Sequence, residues 1–453
     1  MKNITILRLN KILRMTAGLM ASVCLIAVLC GCSGSFSAGE LLASPRLTDE
    51  QNEIYNALTA SAGRVDLRYP HTGEYRSAFV IHNIDGEPTD EAIVFYEQSK
   101  SEAAKEPDAQ DGNAVGNLRV SFLDKDENGN WKATYELPAA GTEVESVAFS
   151  KLGSDKEKLL ISYSVLGSSE KIMSVIDYEN GVATQLGTIG YASYMMLDNL
   201  TESGEYLACF NRDGAKKSGN MTVYGCTDGK TLGMMYPVLS FGNGVTDFDR
   251  ITSASCLILG KEMPCIAVDY LISENCYGTS VLYYNGNAFT TADTIVRDGA
   301  KTNYSNSYTP KLRSQDIDGD GIIDIPATSP LPGYENLSYP EQICAVRWYR
   351  QNCDKIQLTA YTFIDPKRNY MLTFPGRWVG MVTAVNADDN TVSFWKYEGD
   401  IKKNEYALLT IKVVLKNDTS SQSEPDVQSA LRDGYRLFSD DSEKTIYYKS
   451  IMY

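Results

Sequence analysis

Asp316-Ile317-Asp318-Gly319-Asp320-Gly321-Ile322-Ile323-Asp324 places carboxylates at positions 1, 3, 5 and 9 of a nine-residue loop. Four such groups drawn together repel by roughly several kcal/mol at low local dielectric unless a cation lies among them. Gly321, at position 6, permits the sharp turn that a chain makes when it wraps a hard, oxygen-seeking ion such as Ca²⁺, and the carbonyl of Ile322 stands at the position-7 ligand. The expected metal ligands are therefore Asp316, Asp318, Asp320, Ile322 and Asp324. Position 12 is Ala327, where an EF-hand needs a bidentate Glu. The run Ile322, Ile323, Ile325 and then Pro326 reads as a short strand and a stop, not as a helix.

Outward from this loop, two kinds of turn alternate along the chain. Asn83-Ile84-Asp85-Gly86-Glu87-Pro88-Thr89-Asp90-Glu91 repeats the acidic loop, with Asn83, Asp85, Glu87 and Glu91 at positions 1, 3, 5 and 9. These four residues form a candidate second metal site, which departs from the pattern at Asn83, Glu87 and Pro88. Fainter copies lie at Ser150–Leu160 and Asp198–Glu205, and a fourth near Thr252–Leu257 has lost its acids. Between the loops come tight hairpin turns at Gly129, Gly181, Gly229 and Gly286, spaced 52, 48 and 57 residues apart, and a fifth without Gly at Gln351–Lys355. Asn-Gly and Asp-Gly supply the positive φ such turns demand. The period suits one four-stranded unit that buries its faces against its neighbours.

The strand–acidic loop–strand pattern resembles the FG-GAP (VCBS-like, integrin-type) repeats of β-propellers, tightly over 316–324 and loosely over 69–365. The expected fold is mainly β: a β-propeller of about five to seven blades over residues 69–365, followed by a small α+β C-terminal domain over 366–453. An irregular β-sandwich with repeated hairpins is the other architecture this pattern allows. The resemblance implies a non-catalytic module that binds protein or glycan, with Ca²⁺ stiffening its loops. In the C-terminal domain, Tyr370–Thr383, Val392–Tyr397 and Ala407–Val414 read as strands of a separate antiparallel sheet, Asp426–Leu431 as a short helix and Thr445–Tyr448 as a last strand. Its Phe-Pro-x-x-Trp-x-Gly opening resembles a C-terminal module of Firmicutes lipoproteins.

Residues 1–32 read as an export signal. Lys2, Arg8, Lys11 and Arg14 form a basic start, and an apolar run follows that is too short for a secure membrane span. Leu29-Cys30-Gly31-Cys32 resembles a bacterial lipobox, which implies lipidation of Cys32 and a lipid-anchored protein on the extracytoplasmic face of the cell membrane. Paired acyl chains anchor stably where one does not. Residues 33–68 would be a tether and a short helix, the latter opened by Thr48 with Gln51 at the capping-box position.

The chain carries a net charge of −16, and the part beyond the signal −20. A surface that acidic opposes nucleic acid and favours divalent cations. Beyond Cys24, Cys30 and Cys32 lie Cys209, Cys226, Cys256, Cys265, Cys276, Cys344 and Cys353, without a Cys-x-x-Cys; apolar surroundings make buried free thiols the default. A Cys344–Cys353 bridge is one further option. His71 and His82 are the only histidines, and no nucleophile elbow, phosphate loop or dinucleotide fingerprint occurs. Paired carboxylates for glycan cleavage can be drawn from 58 acidic residues in many ways, so spacing selects none. The function expected is a calcium-stabilised binding or adhesion lipoprotein. The alternatives are an accessory or sensor lipoprotein of a membrane complex and a glycan-active propeller enzyme.

Overall fold

The computed structural model describes residues 47–98, 117–198, 204–274, 276–292, 295–297, 300–302, 312–352, 355–401, 407–415, 436–438 and 444–450. The signal, the lipobox with Cys32, the helix expected at 426–431 and Cys353 lie outside them. The chain divides into two compact units, Met1–Asn56 and Ala57–Tyr453. Of the first, the described part is the start of the α-helix Asp49–Ala62. Its capping box forms as the sequence implies: Gln51 N–H donates to Thr48 Oγ1 (3.2 Å) and Thr48 N–H to Gln51 Oε1 (3.1 Å). Among the described residues no helix is long and apolar enough to cross a membrane.

The second unit is built almost wholly of antiparallel strands, ordered along the chain into successive sheets. In the first sheet Val65–Leu67 and Phe79–His82 both pair with Glu91–Gln98, which Leu118–Lys125 and Trp131–Pro138 follow. The second runs Glu143–Ser150, Lys158–Ser164, Lys171–Glu179 and Val182–Tyr191. The third takes Ser193–Leu197, Tyr206–Asp213, Ser218–Cys226 and Leu232–Met234, with Leu239–Phe241 also on Ser218–Cys226. Asp247–Ile258, Lys261–Ser273, Cys276–Tyr284 and Phe289–Thr291 form the fourth. After a two-stranded ribbon, Ile295–Arg297 with Ala300–Thr302, the fifth of the larger sheets comprises Ile325–Pro330, Cys344–Asn352, Lys355–Asp365, Tyr370–Thr373 and Arg436–Phe438. Val382–Asp388, Thr391–Lys396, Ala407–Leu415 and Lys444–Ser450 make the sixth.

Alternation along the strands explains why the sheets stack in chain order. Successive residues of a strand face opposite ways, so a strand apolar at every position feeds two cores. Leu159, Ile161 and Tyr163 join residues of the first sheet such as Phe95 and Val120, while Leu160 joins Leu207 and Cys209 of the third. Ala208 and Phe210 in turn pack with Ile266 and Val268 of the fourth sheet. Cys256, Cys265 and Val281 of the fourth meet Ile323 and Ile325. The cysteines Cys209, Cys226, Cys256 and Cys265 are buried free thiols, as their apolar contexts imply; Cys276 is buried too, and Cys344 is free.

Two expectations need correcting. Thr252–Leu257 is no loop: it lies within the strand Asp247–Ile258, which turns directly at Leu259 (φ 52) and Gly260 (φ 78). Tyr370–Thr373 does not open a separate sheet, because it pairs with Lys355–Asp365 on one side and Arg436–Phe438 on the other, inside the fifth. Phe363, Tyr370 and Phe374 share one core with Trp378, Phe394 and Ile411, so the fifth and sixth sheets bury their apolar faces on each other. The change of sequence texture after Pro366 marks a turn, not an independent core.

Candidate metal centre

Loop 316–324 enters the fifth sheet. Its base is closed by backbone hydrogen bonds from Gln315 N–H to the Asp324 carbonyl (3.0 Å) and from Asp324 N–H to the Gln315 carbonyl (2.9 Å). Ile323 N–H donates to the Ser255 carbonyl (2.8 Å), tying the loop to the fourth sheet. Asp316 Oδ1 accepts from the N–H groups of Gly319 (2.7 Å) and Asp320 (3.1 Å), and its Oδ2 accepts from Gly321 (2.8 Å). This folding back requires left-handed backbone at Gly319 (φ 82) and Gly321 (φ 87), which glycine supplies without strain. Asp320 Oδ1 accepts from the N–H of Ile322, whose side chain is buried.

Asp324 is fully buried; its Oδ1 accepts from the Thr359 hydroxyl (2.8 Å) and its Oδ2 from Ile317 N–H (3.1 Å). Burial lifts its pKa above the usual carboxylate range despite those bonds and the nearby Arg350 charge. Burial pushes Asp316 the same way, but hydrogen bonds from Gly321, Gly319 and Asp320 prevail and hold it below the usual range. Asp316, Asp318 and Asp324 each bring an oxygen within 4.8 Å of the others, the one such cluster of acidic, His or Cys groups among the described residues.

Sequence reasoning missed Arg350. It projects from the strand Cys344–Asn352 with its side chain 9% exposed and puts its guanidinium among these acids. Nη1 and Nη2 hold Asp320 in a fork at 2.6 and 2.9 Å, and Nη2 lies 3.4 Å from Asp318 Oδ1 and 3.5 Å from Asp324 Oδ1. The charge-balance reading of the loop is corrected accordingly: the chain itself supplies a positive charge, and Asp320, held in the Arg350 fork, is not one of the converging trio. The strand carries two arginines, Arg347 and Arg350, and nothing local names for either a partner some thirty residues away. Four carboxylates against one guanidinium still leave the loop three charges negative. Three converging carboxylates of that net charge are the hard oxygen donors that suit a divalent cation.

Loop 83–91 repeats the frame with other groups. Asn83 Oδ1 accepts from Gly86 N–H (2.8 Å), Asp85 Oδ1 from Glu87 N–H (3.0 Å), and Glu91 Oε2 from Ile84 N–H (2.7 Å). Glu91 is fully buried, and burial, with the charges of Asp85 and Asp124 adding to it, pushes its pKa up to about 7. Glu91 Oε1 and Asp85 Oδ2 are buried without a hydrogen-bond partner. Glu87 is exposed, and its carbonyl accepts from Asn83 Nδ2. The four residues are thus not gathered as the Asp316 cluster is.

In loop 150–158 the buried ninth position is Lys158, whose ammonium lies 2.9 Å from Asp177 Oδ1. Lys151 N–H, the second position, donates instead to Glu205 Oε2 (3.1 Å), which also accepts from Ser150 Oγ (2.9 Å). His82 stacks on Phe149 with ring centroids 3.8 Å apart, and its Nε2 lies 2.7 Å from Glu157 Oε2, so it joins the first two sheets; His71 is exposed.

No protein-family model and no curated protein matches the chain. Among solved structures it is similar to the exotype rhamnogalacturonan lyase YesX, at 8% identity and a TM-score of 0.26, covering 66% of this chain and 57% of the lyase. It is also similar to a protein from Lactobacillus plantarum, at 10% identity and a TM-score of 0.24, covering 75% of this chain and 97% of that one. Likeness at this level defines neither fold nor activity for this chain.

Proposed function

We propose that the chain is an extracytoplasmic lipoprotein, anchored in the cell membrane through Cys32, whose repeated sheets form a β-propeller that binds a protein or glycan without catalysis. The loop 316–324 would hold a structural Ca²⁺ on Asp316, Asp318 and Asp324, with the Ile322 carbonyl as a further donor. The ion would supply charge neutralisation alone, letting the loop close between the fourth and fifth sheets.

The observation that carries this reading is the order of the sheets. Antiparallel sheets of four or five strands follow one another along the chain, broken by one two-stranded ribbon, and each apolar core lies between one of the larger sheets and the next. That is how radial repeats bury their faces. Extended binding surfaces suit such a stack better than one deep catalytic cleft, and a recess of about 860 Å³ lined in part by Phe363, Arg368 and Asn386 offers one place for a ligand.

The test is a glycan array and a protein pull-down with the purified chain, with and without Ca²⁺. Retention of a defined glycan or protein, weakened by chelation, is the result expected. Release of sugar from a polysaccharide panel would replace the binding reading with an enzymatic one. Cys32→Ser should move the protein from membranes to the soluble fraction.

A further inference from the structure

We infer that Arg350 is a built-in competitor for the cation at loop 316–324, an inference that rests on the cation reading of that loop. Two of the three converging carboxylates, Asp318 and Asp324, already face its Nη2 at 3.4 and 3.5 Å. A divalent ion held by the same oxygens would stand against the guanidinium, two like charges sharing partly buried ground. Ion binding therefore requires Arg350 to draw back from Asp324 and Asp318.

The contacts of Arg350 are graded in a way that permits this. Its strongest hold is the fork on Asp320, whose side chain is 44% exposed, whereas Asp324 is buried completely. Arg350 can keep Asp320 while leaving the buried end. Its Nε is buried without a partner, so only the outer edge of the guanidinium is tied down. The loop then has two states, one closed on Arg350 and one closed on the cation, and each occupant weakens the other by the same factor.

The experiment is calorimetric titration of Ca²⁺ into the full chain in detergent, comparing wild type, Arg350→Gln and Arg350→Lys, with melting curves in chelator and in saturating Ca²⁺. Arg350→Gln should bind about 5- to 150-fold more tightly than wild type, the usual span of coupling between two sites. Arg350→Lys, which keeps the charge but loses the fork, should fall between them. Without Ca²⁺, Arg350→Gln should melt below wild type, and saturating Ca²⁺ should narrow that gap. The gain in affinity should vanish in an Asp318→Ala background. Should Arg350→Gln fold only when Ca²⁺ is present, that supports the inference, and Arg350→Lys carries the affinity comparison. Equal Ca²⁺ affinity in wild type and Arg350→Gln overturns the competitor role and leaves the cation site standing. No binding in any variant overturns the cation site, and the competitor role with it.

Discussion

Loops 83–91 and 316–324 share a backbone frame and differ in how they settle their charge. In both, the first residue's side-chain oxygen accepts from the N–H at position 4, and the buried acid at position 9 accepts from the N–H at position 2. The glycine at position 4 is left-handed in each, Gly86 at φ 81 and Gly319 at φ 82. Asp324 has both oxygens partnered, Oδ1 by the Thr359 hydroxyl with Arg350 beside it and Oδ2 by Ile317 N–H; Glu91 keeps one oxygen without a partner and a pKa near 7. Loop 150–158 is a third solution, with Lys158 built into position 9 and Glu205 taking over the N–H at position 2. One turn geometry therefore accommodates a proton, a guanidinium or an ammonium, because the hydrogen bonds that shape it are local and the charge that balances it is not.

The contrast can be broken most forcefully at Lys158. Lys158→Met should lower stability by about 3–5 kcal/mol in a denaturant titration, since it strands Asp177, only 12% exposed at its side chain. Adding Asp177→Asn should recover part of the loss. At Glu91 the effect depends on pH. Its folded pKa of about 7 stands above the ordinary 4.5, so the folded state holds the proton more tightly than the unfolded chain. Glu91 consequently costs stability once it must ionise, and stability falls as pH rises from about 4.5 through 7. In chelator, Glu91→Gln should raise stability by roughly 3 kcal/mol above pH 7, with the gain fading toward pH 4.5; a gain independent of pH would refute this account.

At loop 316–324, Ca²⁺ at a hundredfold excess over its Kd should stabilise wild type by about 2.7 kcal/mol, and Asp318→Ala should lose most of that response. An unchanged response would move the ion elsewhere. The smallest effect belongs to the shared frame. Gly86→Ala meets no atom within 4 Å and should cost about 1 kcal/mol through its positive φ alone. Gly153→Ala should exceed it, because its Cβ would come within 2.7 Å of the Tyr206 ring.

The local turn and strand pattern was largely legible in the residues. The Asn-Gly and Asp-Gly turns locate a hairpin in each of the first four sheets, and the acidic loop at 316–324 the entry to the fifth, because turn chemistry and strand alternation act within a few residues. The Thr252–Leu257 segment misled: a faint likeness to a loop was outweighed by a continuous run of strand residues whose partner is the adjacent Lys261–Ser273. The boundary near Pro366 misled for another reason. A change of texture does not reveal that Phe363 and Phe394 lie 5.1 Å apart in one core.

What the sequence alone determined is the alphabet of this chain: strands that alternate, hairpins that reverse, and acidic turns whose backbone hydrogen bonds close within nine residues. What the tertiary structure decided is which charge answers each turn. Arg350 reaches Asp320 across 30 residues, Lys158 meets Asp177 across a neighbouring strand, and Glu205 answers Lys151 from the next sheet. Local hydrogen bonds can be read from spacing, whereas electrostatic partners are set by the packing of sheets that only the folded chain brings together.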